Sequence, residues 1–246
     1  MKRVLSFVLV FAMMLSLAAC NSGSSTSSTG SQQSSSTDTP VENQIIFGNT
    51  TELSGDLGNA WWTNNAADMD IRSLIDDYDV IVTDQEGAFV QNQTVCGGIE
   101  STENEDGTKT FTVKINEGLK YNNGDPITAA DYVAYALVGY SPAAKAAGAK
   151  NDAGAAQVVG GTAYMNGEAD TITGIRLVDE YTYSITISAD YLPYYFDVVY
   201  TSLKPISLKM YASADLTVKD DGKGVYLDGG ELKKDEIDAS RWIYED

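Results

Sequence analysis

Between Glu100 and Tyr140 the apolar period switches from two to the 3.6 of a helix, with turn residues at each break. Glu103-Asn104-Glu105-Asp106-Gly107-Thr108 reads as a hairpin tip, where Asp-Gly supplies the positive φ angles of a tight turn. Phe111, Val113 and Ile115 then alternate with Thr112 and Lys114, the pattern of a half-buried strand. Asn122-Asn123-Gly124-Asp125-Pro126 is a second turn. Thr128 caps a helix, and Asp131 takes the place of the Glu in a capping box. Tyr132, Val133, Ala136, Leu137 and Tyr140 form the helix's apolar face, and Ser141-Pro142 stops it.

The flanking chain carries weaker signals of the same kind. Gln44 to Asn49 predicts a first strand, followed by a polar loop from Thr50 to Asn59 and the pair Trp61-Trp62. From Asn65 to Tyr78 the residues Met69, Ile71, Leu74, Ile75 and Tyr78 recur at helical spacing and predict an apolar face. Ile172 to Ser188 reads as a hairpin: Ile175 to Val178, a turn at Asp179-Glu180, then Tyr181, Tyr183, Ile185 and Ile187 alternating with Thr and Ser. Residues 142–170, rich in Ala and Gly, are assigned no element, and 219–246 is charged and turn-rich.

The N-terminus is of another character. Lys2-Arg3 precedes an apolar run from Val4 to Ala19, shorter than the roughly 20 residues that span a bilayer. Two cations, an apolar run and small residues are the build of an export signal. Leu17-Ala18-Ala19-Cys20 resembles the lipobox of bacterial lipoproteins, which implies cleavage before Cys20 and lipidation of that cysteine. Residues 22–39 are almost all Ser, Thr, Gly and Gln, with too little apolar surface to offset ordering entropy. They read as a tether within 20–43 that holds a folded domain off a membrane. The alternative is an ordinary secretory signal with a chance cysteine.

Net charge is −19, and nucleic acid is an unsuitable partner because phosphate binding needs clustered Lys and Arg. There is no histidine, which removes Ser-His and Cys-His catalysis and every His-based metal site. With Cys20 lipidated, Cys96 has no partner for an intramolecular disulfide and fits a small buried apolar residue. No nucleotide-binding or nucleophile-elbow motif occurs, and nothing calls for a cofactor or metal. An enzyme built from this chain would have to use carboxylates. Asp68/Asp70, Asp76/Asp77 and Glu103/Glu105 are the available pairs, and none has a spacing specific to acid–base work.

The stretch from Thr110 to Val133 resembles the oligopeptide/dipeptide/nickel-binding lipoproteins of ABC importers, extracellular solute-binding proteins of family 5. Gly118, Lys120, Tyr121, Gly124, Pro126, Thr128, Ala129, Asp131 and Val133 fall on that family's pattern of strand, turn and capped helix. Val178 to Ile187, with Pro193-Tyr194, is similar to the family's next hairpin and the helix after it. Thr51-Glu52-Leu53 is similar to its opening segment only loosely, as Leu53 stands where the family has proline. The resemblance runs from residue 44 to about 210.

It implies a mixed α/β fold of the periplasmic-binding-protein-like type II class, with residues 44–246 as the N-terminal part of a solute-binding domain and a subdomain inserted at about 63–171. Two lobes of such a protein close on a ligand, and the second is expected beyond where this sequence stops. The implied partners are a peptide or similar small solute, the permease subunits of an ABC importer, and a membrane reached through the lipid anchor on its extracytoplasmic face. Asn49, Thr50, Thr51 and Glu52, after the first strand, are the candidate ligand contacts, with Trp61 and Trp62 as candidate pocket walls. The same Trp pair would serve equally as core, Glu52 as a solvated acid, and Tyr194 and Tyr195 as core. A surface-anchored carboxylate-dependent hydrolase and an adhesion module remain the alternative readings. Neither predicts the run of Gly, Pro and Thr between 110 and 133.

Overall fold

A four-stranded antiparallel sheet and one buried helix organise the chain in the computed structural model, which describes residues 48–76 and 78–242. The expected signal, Cys20, the tether, residues 44–47 of the expected first strand, and Asp77 lie outside the described residues. The sheet has strand order β3-β4-β6-β5, formed by β3 (Cys96–Glu103), β4 (Lys109–Ile115), β5 (Ile175–Asp179) and β6 (Thr182–Ile187). A separate ribbon pairs β1 (Ile81–Thr83) with β2 (Phe89–Gln91).

Period-two patterning is realised in register. Phe111 faces Ile185 and Val113 faces Tyr183 across β4 and β6, so Phe111, Val113, Ile115, Tyr183, Ile185 and Ile187 share one face, each at most 3% exposed. On the opposite face the Thr110 and Thr186 hydroxyls lie 2.9 Å apart. The β3–β4 turn closes as expected: Asn104 donates its N–H to Thr108 O at 2.9 Å, and Gly107 has φ +81°. A side chain at Gly107 would sit in a left-handed backbone.

The helix over the apolar face is α2 (Ala129–Gly139); α1 is Ala66–Ile75. The Asp131 carboxylate accepts the Thr128 N–H at 2.8 Å and the Thr128 hydroxyl at 2.9 Å, fixing the N-terminus of α2. Tyr132, Val133, Ala136 and Leu137 pack on the sheet, while Ala134 and Val138 belong to a second cluster with Trp61, Trp62, Ile206, Tyr211 and Ile237. Each large side chain buried this way contributes roughly 1.5–3 kcal/mol. The Tyr183 hydroxyl donates to Thr201 O at 3.1 Å, and burial pushes its pKa well above the ordinary value.

The unassigned stretch 142–170 forms three short helices, α3 (Pro142–Ala147), α4 (Asp152–Gln157) and α5 (Gly161–Met165). Each is too short to show a period. Ser141 ends α2 and caps α3, its hydroxyl accepting the Ala144 N–H at 3.0 Å, with Pro142 at the first helical position. The charged end folds too, as the hairpin β7 (Thr217–Asp220) and β8 (Val225–Asp228) and the helix α6 (Lys234–Ala239). The four-stranded sheet draws its strands from residues 96 to 187.

Helix α1 departs from its expected orientation. It stops at Ile75, and Tyr78 adopts φ +68°. Of the expected apolar face, Met69, Leu74 and Ile75 are 50%, 85% and 51% exposed and Ile71 is half-buried, only Tyr78 packing against the main core, while Asp68 and Arg72 are buried. The reason is polar. Arg72 donates to Asp56 O and Thr63 O at 3.1 Å each, and Asp68 accepts the Ser54 N–H at 3.0 Å and its hydroxyl. Satisfying the backbone of the loop 54–63 decides which side of α1 turns inward.

Candidate functional site

Asn49, Thr50, Thr51 and Glu52 form one continuous exposed strip. Asn49 Oδ1 accepts the Thr51 N–H at 2.9 Å, and Asn49 Nδ2 donates to Asp70 Oδ2 at 3.1 Å, which ties the strip to α1. Asn65 donates to Glu52 O at 2.9 Å while its Oδ1 caps α1 at the Ala67 N–H, also 2.9 Å. The strip is thus docked on the start of a helix with its side chains open to solvent. Leu53, next in sequence, and Met69 of α1 are both about half exposed.

Trp61 and Trp62 are not part of that surface. They are 1% and 3% exposed, and the Trp61 ring lies 4.9 Å from Tyr135 and 5.6 Å from Tyr211, centroid to centroid. Trp62 carries the Arg241 guanidinium at 4.7 Å from its ring centre. The structure brings Asn49, Thr50, Thr51 and Glu52 together and places the Trp pair in the smaller core.

Among the carboxylate pairs, Asp68 is buried on Ser54, Asp70 binds Asn49, and Asp76 lies 3.5 Å from Lys204. Glu103 and Glu105 stand exposed at the β3–β4 turn. Cys96 is buried, with desolvation raising its thiol pKa against the hydrogen bonds at Gly98 and Lys114. Among the described residues no group of three or more Cys, Asp or Glu side chains is placed to hold a metal ion, and no helix is long and apolar enough to cross a membrane.

Two cavities open elsewhere. One, of about 480 Å³, lies over the start of α2 between Tyr121, Asp125, Asp131, Lys209, Leu216 and Val218. The Tyr121 hydroxyl donates to Asp131 Oδ1 at 3.0 Å there; burial first, then the Asp131 charge, drive its pKa far upward. The other, of about 410 Å³, lies between the β3–β4 turn and residues 189–197, with Lys109 and Asp197 in its lining. Neither cavity includes a residue of the 49–52 strip or the Trp pair.

Beside the second cavity the chain shows what sequence reading missed. Tyr194, Tyr195 and Phe196 are 43%, 89% and 38% exposed, so the two tyrosines are surface residues and not core. Their rings form a connected cluster: Tyr195–Phe196 at 4.7 Å, Phe89–Phe196 at 5.4 Å, Tyr194–Phe196 at 5.9 Å and Tyr194–Tyr200 at 5.5 Å between centroids. The signal in the sequence is a run of three aromatics after Pro193 that follows neither a period of two nor one of 3.6.

Residues 95–231 match the profile of bacterial extracellular solute-binding proteins, family 5, middle region. No curated protein matches the chain in sequence. Among solved structures it is similar to OppA of Listeria monocytogenes bound to peptide, at 21% identity and TM-score 0.50, over 68% of this chain and 34% of that one. OppA of Burkholderia pseudomallei gives 22% identity and TM-score 0.50 over 68% and 33%. The pheromone receptor PrgZ, described with its mode of peptide binding, gives 20% and 0.51 over 73% and 34%. The chain therefore spans about a third of the length of these structures. They share its mixed α/β, periplasmic-binding-protein-like fold. With more than half of its residues on the family profile, the chain belongs to the bacterial extracellular solute-binding proteins of family 5.

Proposed function

We propose that this chain works as the substrate-binding lipoprotein of an ABC importer, capturing peptides outside the membrane and passing them to the permease subunits. The observation that carries this is the family match over 95–231, together with a fold shared with structures described in complex with peptide. Residues 1–19 serve as the export signal, Cys20 as the lipid attachment point, 20–43 as the tether and 44–246 as part of the binding domain. The chain supplies binding and not catalysis.

In this reading two lobes close on the peptide by hinge motion, and the residues described here contribute to one wall. Peptide main chain is held by strand-like hydrogen bonds, which give affinity without strong side-chain selectivity. Asn49, Thr50, Thr51 and Glu52 are the proposed contacts on this side. They are exposed, adjacent and braced against α1, as a binding loop on a rigid element should be. Trp61 and Trp62 contribute from beneath, holding the loop's far end in the core.

Calorimetry with a pooled library of short peptides tests the proposal. Saturable heat is expected with peptides and none with matched oligosaccharides or with nickel. Thr51→Ala and Glu52→Gln should weaken peptide binding without moving the thermal midpoint, since both side chains are exposed. Heat with the sugars or nickel and none with peptides would overturn the peptide assignment.

A further inference from the structure

Five of the large apolar side chains that the described residues leave exposed gather at one place: Phe89, Tyr191, Tyr194, Tyr195 and Phe196, from 37% exposed at Tyr191 to 89% at Tyr195. Phe89 comes from β2 and the others from residues 191–196, so two distant parts of the chain converge on one aromatic patch. Tyr200 closes it on one side, its ring 5.5 Å from Tyr194 and its hydroxyl donating to Tyr191 O at 3.5 Å. Rings left in water forgo burial free energy, and contiguous exposed rings mark an interaction surface.

What surrounds the rings decides what can cover them. The segments that build and rim the patch, 81–91, 103–109 and 189–200, hold seven carboxylates and a single cation, Lys109, which is closed on Asp197 at 2.6 Å. Glu86, Glu103, Glu105, Asp106 and Asp190 of that rim are exposed. The β3–β4 turn belongs to it because a methyl at Gly107 would lie 3.4 Å from Ala189 Cβ. An anionic bilayer and a second copy of this chain, at net charge −19, would both meet the rim with like charge. A sugar ring stacks on a flat aromatic platform, and these rings stand nearly perpendicular: 86° for Tyr195–Phe196, 78° for Phe89–Phe196 and 73° for Tyr194–Phe196. Edge-to-face packing leaves ring faces, the negative side of the quadrupole, open in several directions. Guanidinium groups lie on such faces more readily than ammonium groups, because they are planar and weakly hydrated. The chain makes this contact within itself, where the Arg241 guanidinium lies 4.7 Å from the centre of the Trp62 ring.

We propose that the aromatic patch and its acidic rim form a docking surface for a folded protein that presents a face of arginines. The guanidinium groups cover the rings, and the rim carboxylates steer the approach and fix its register. This surface is separate from peptide capture and uses no residue of the 49–52 strip.

The test follows amide NMR shifts of isotope-labelled full chain on titration with a designed helical-bundle protein bearing an arginine-rich face, and with its twin in which each arginine is lysine. The arginine protein should move amides in 84–89 and 189–200 saturably, and the lysine twin should bind about threefold more weakly or worse. Tyr195→Ser changes an 89% exposed side chain, should leave the unligated spectrum intact, and should weaken the arginine protein about threefold. Glu86→Gln with Asp190→Asn should weaken binding at low salt, whereas Glu231→Gln with Asp235→Asn, an equal loss of charge outside the rim, should not. Pooled short peptides should not displace the arginine protein, so this surface and the importer reading stand or fall separately. Equal binding of the twins, equal loss from both charge-removing pairs, displacement by short peptides, or no saturable shift would each overturn the docking surface. Two further results would overturn it by naming another occupant. Phosphatidylglycerol vesicles that move the same amides would assign the patch to a membrane, and a sedimentation dimer that Tyr195→Ser dissolves would assign it to a second copy of the chain.

Discussion

Asp220→Ala should destabilise the fold by about 2–3 kcal/mol. The Asp220 carboxylate accepts four hydrogen bonds: Arg176 Nε and Nη2 at 2.8 Å each, the Leu177 N–H at 2.9 Å and the Gly222 N–H at 2.8 Å. Leu177 lies on β5, an edge strand of the sheet, so the carboxylate also covers part of an open edge. A bond to a buried charge contributes about 1.5–3 kcal/mol, but Arg176 is 39% exposed and its share is screened. Most of the loss should therefore come from the two backbone N–H groups and the detached β7–β8 hairpin. For a domain of about 200 residues this lowers Tm by roughly 4–12 °C. Burial works against ionisation of Asp220, yet Arg176 and the Gly222 and Leu177 N–H groups outweigh it and hold its pKa below the ordinary carboxylate range. A depressed folded pKa means that the stabilisation is complete above the unfolded value, near pH 4, and fades as pH falls through the folded value. Thermal melts of both proteins at pH 7 and at several points below pH 4 check this. The gap should be full at pH 7 and should narrow in acid. An unchanged Tm at pH 7, or a gap that persists undiminished in acid, refutes the role assigned to the carboxylate.

Gly139→Ala removes a helix-disfavoured residue but places a methyl 2.8 Å from Trp61 Cε2 and 2.7 Å from Asn151 Nδ2. Overpacking should win, lowering stability by about 1–2 kcal/mol with a change in Trp fluorescence; a higher Tm would show that Trp61 yields freely. Cys20→Ala should release the protein from membranes or block its processing, because Leu17-Ala18-Ala19-Cys20 carries the proposed attachment. Membrane-bound mutant at the cleaved size would remove the lipoprotein reading.

What the sequence made legible follows from how local each decision is. The alternation at 111–115 and 183–187 is a local pattern that one buried sheet face demands, and the structure realises it in register. The capping box at Thr128 and Asp131 is likewise settled within four residues. Helix α1 was misread because periodicity assumes that apolar residues face inward. Here the inward side is set by Asp68 and Arg72, whose partners Ser54, Asp56 and Thr63 lie a turn of loop away. The cavity at Lys109 and Asp197 was invisible for a related reason: its two charged residues are 88 positions apart, and no spacing rule connects them. Family resemblance identified the right class of protein from residues that build turns and caps, which specify a scaffold more than a ligand.

That distinction explains how one loop can be both polar and firmly held. Arg72 ties down the carbonyls of Asp56 and Thr63, Asp68 takes the backbone and hydroxyl of Ser54, and Arg241 reaches Asp56 Oδ2 at 2.8 Å. Trp61, at the end of the same loop, is locked between Tyr135 and Tyr211, and its carbonyl accepts the Lys150 N–H at 2.8 Å. Arg72 and the Lys150 N–H satisfy backbone carbonyls of the loop, and Arg241 neutralises the buried Asp56 carboxylate. The segment 49–52 just before this loop is exposed, with Asn49 tied to Asp70 and to the Thr51 N–H, and with the side chains of Thr50, Thr51 and Glu52 open to solvent. An immobile stretch beside an exposed one keeps ordering costs low when the exposed residues bind, because the backbone beneath them is already fixed. The buried polarity of α1 is therefore tied to the surface it supports, and replacing Arg72 by leucine would restore the amphipathic pattern while removing the support.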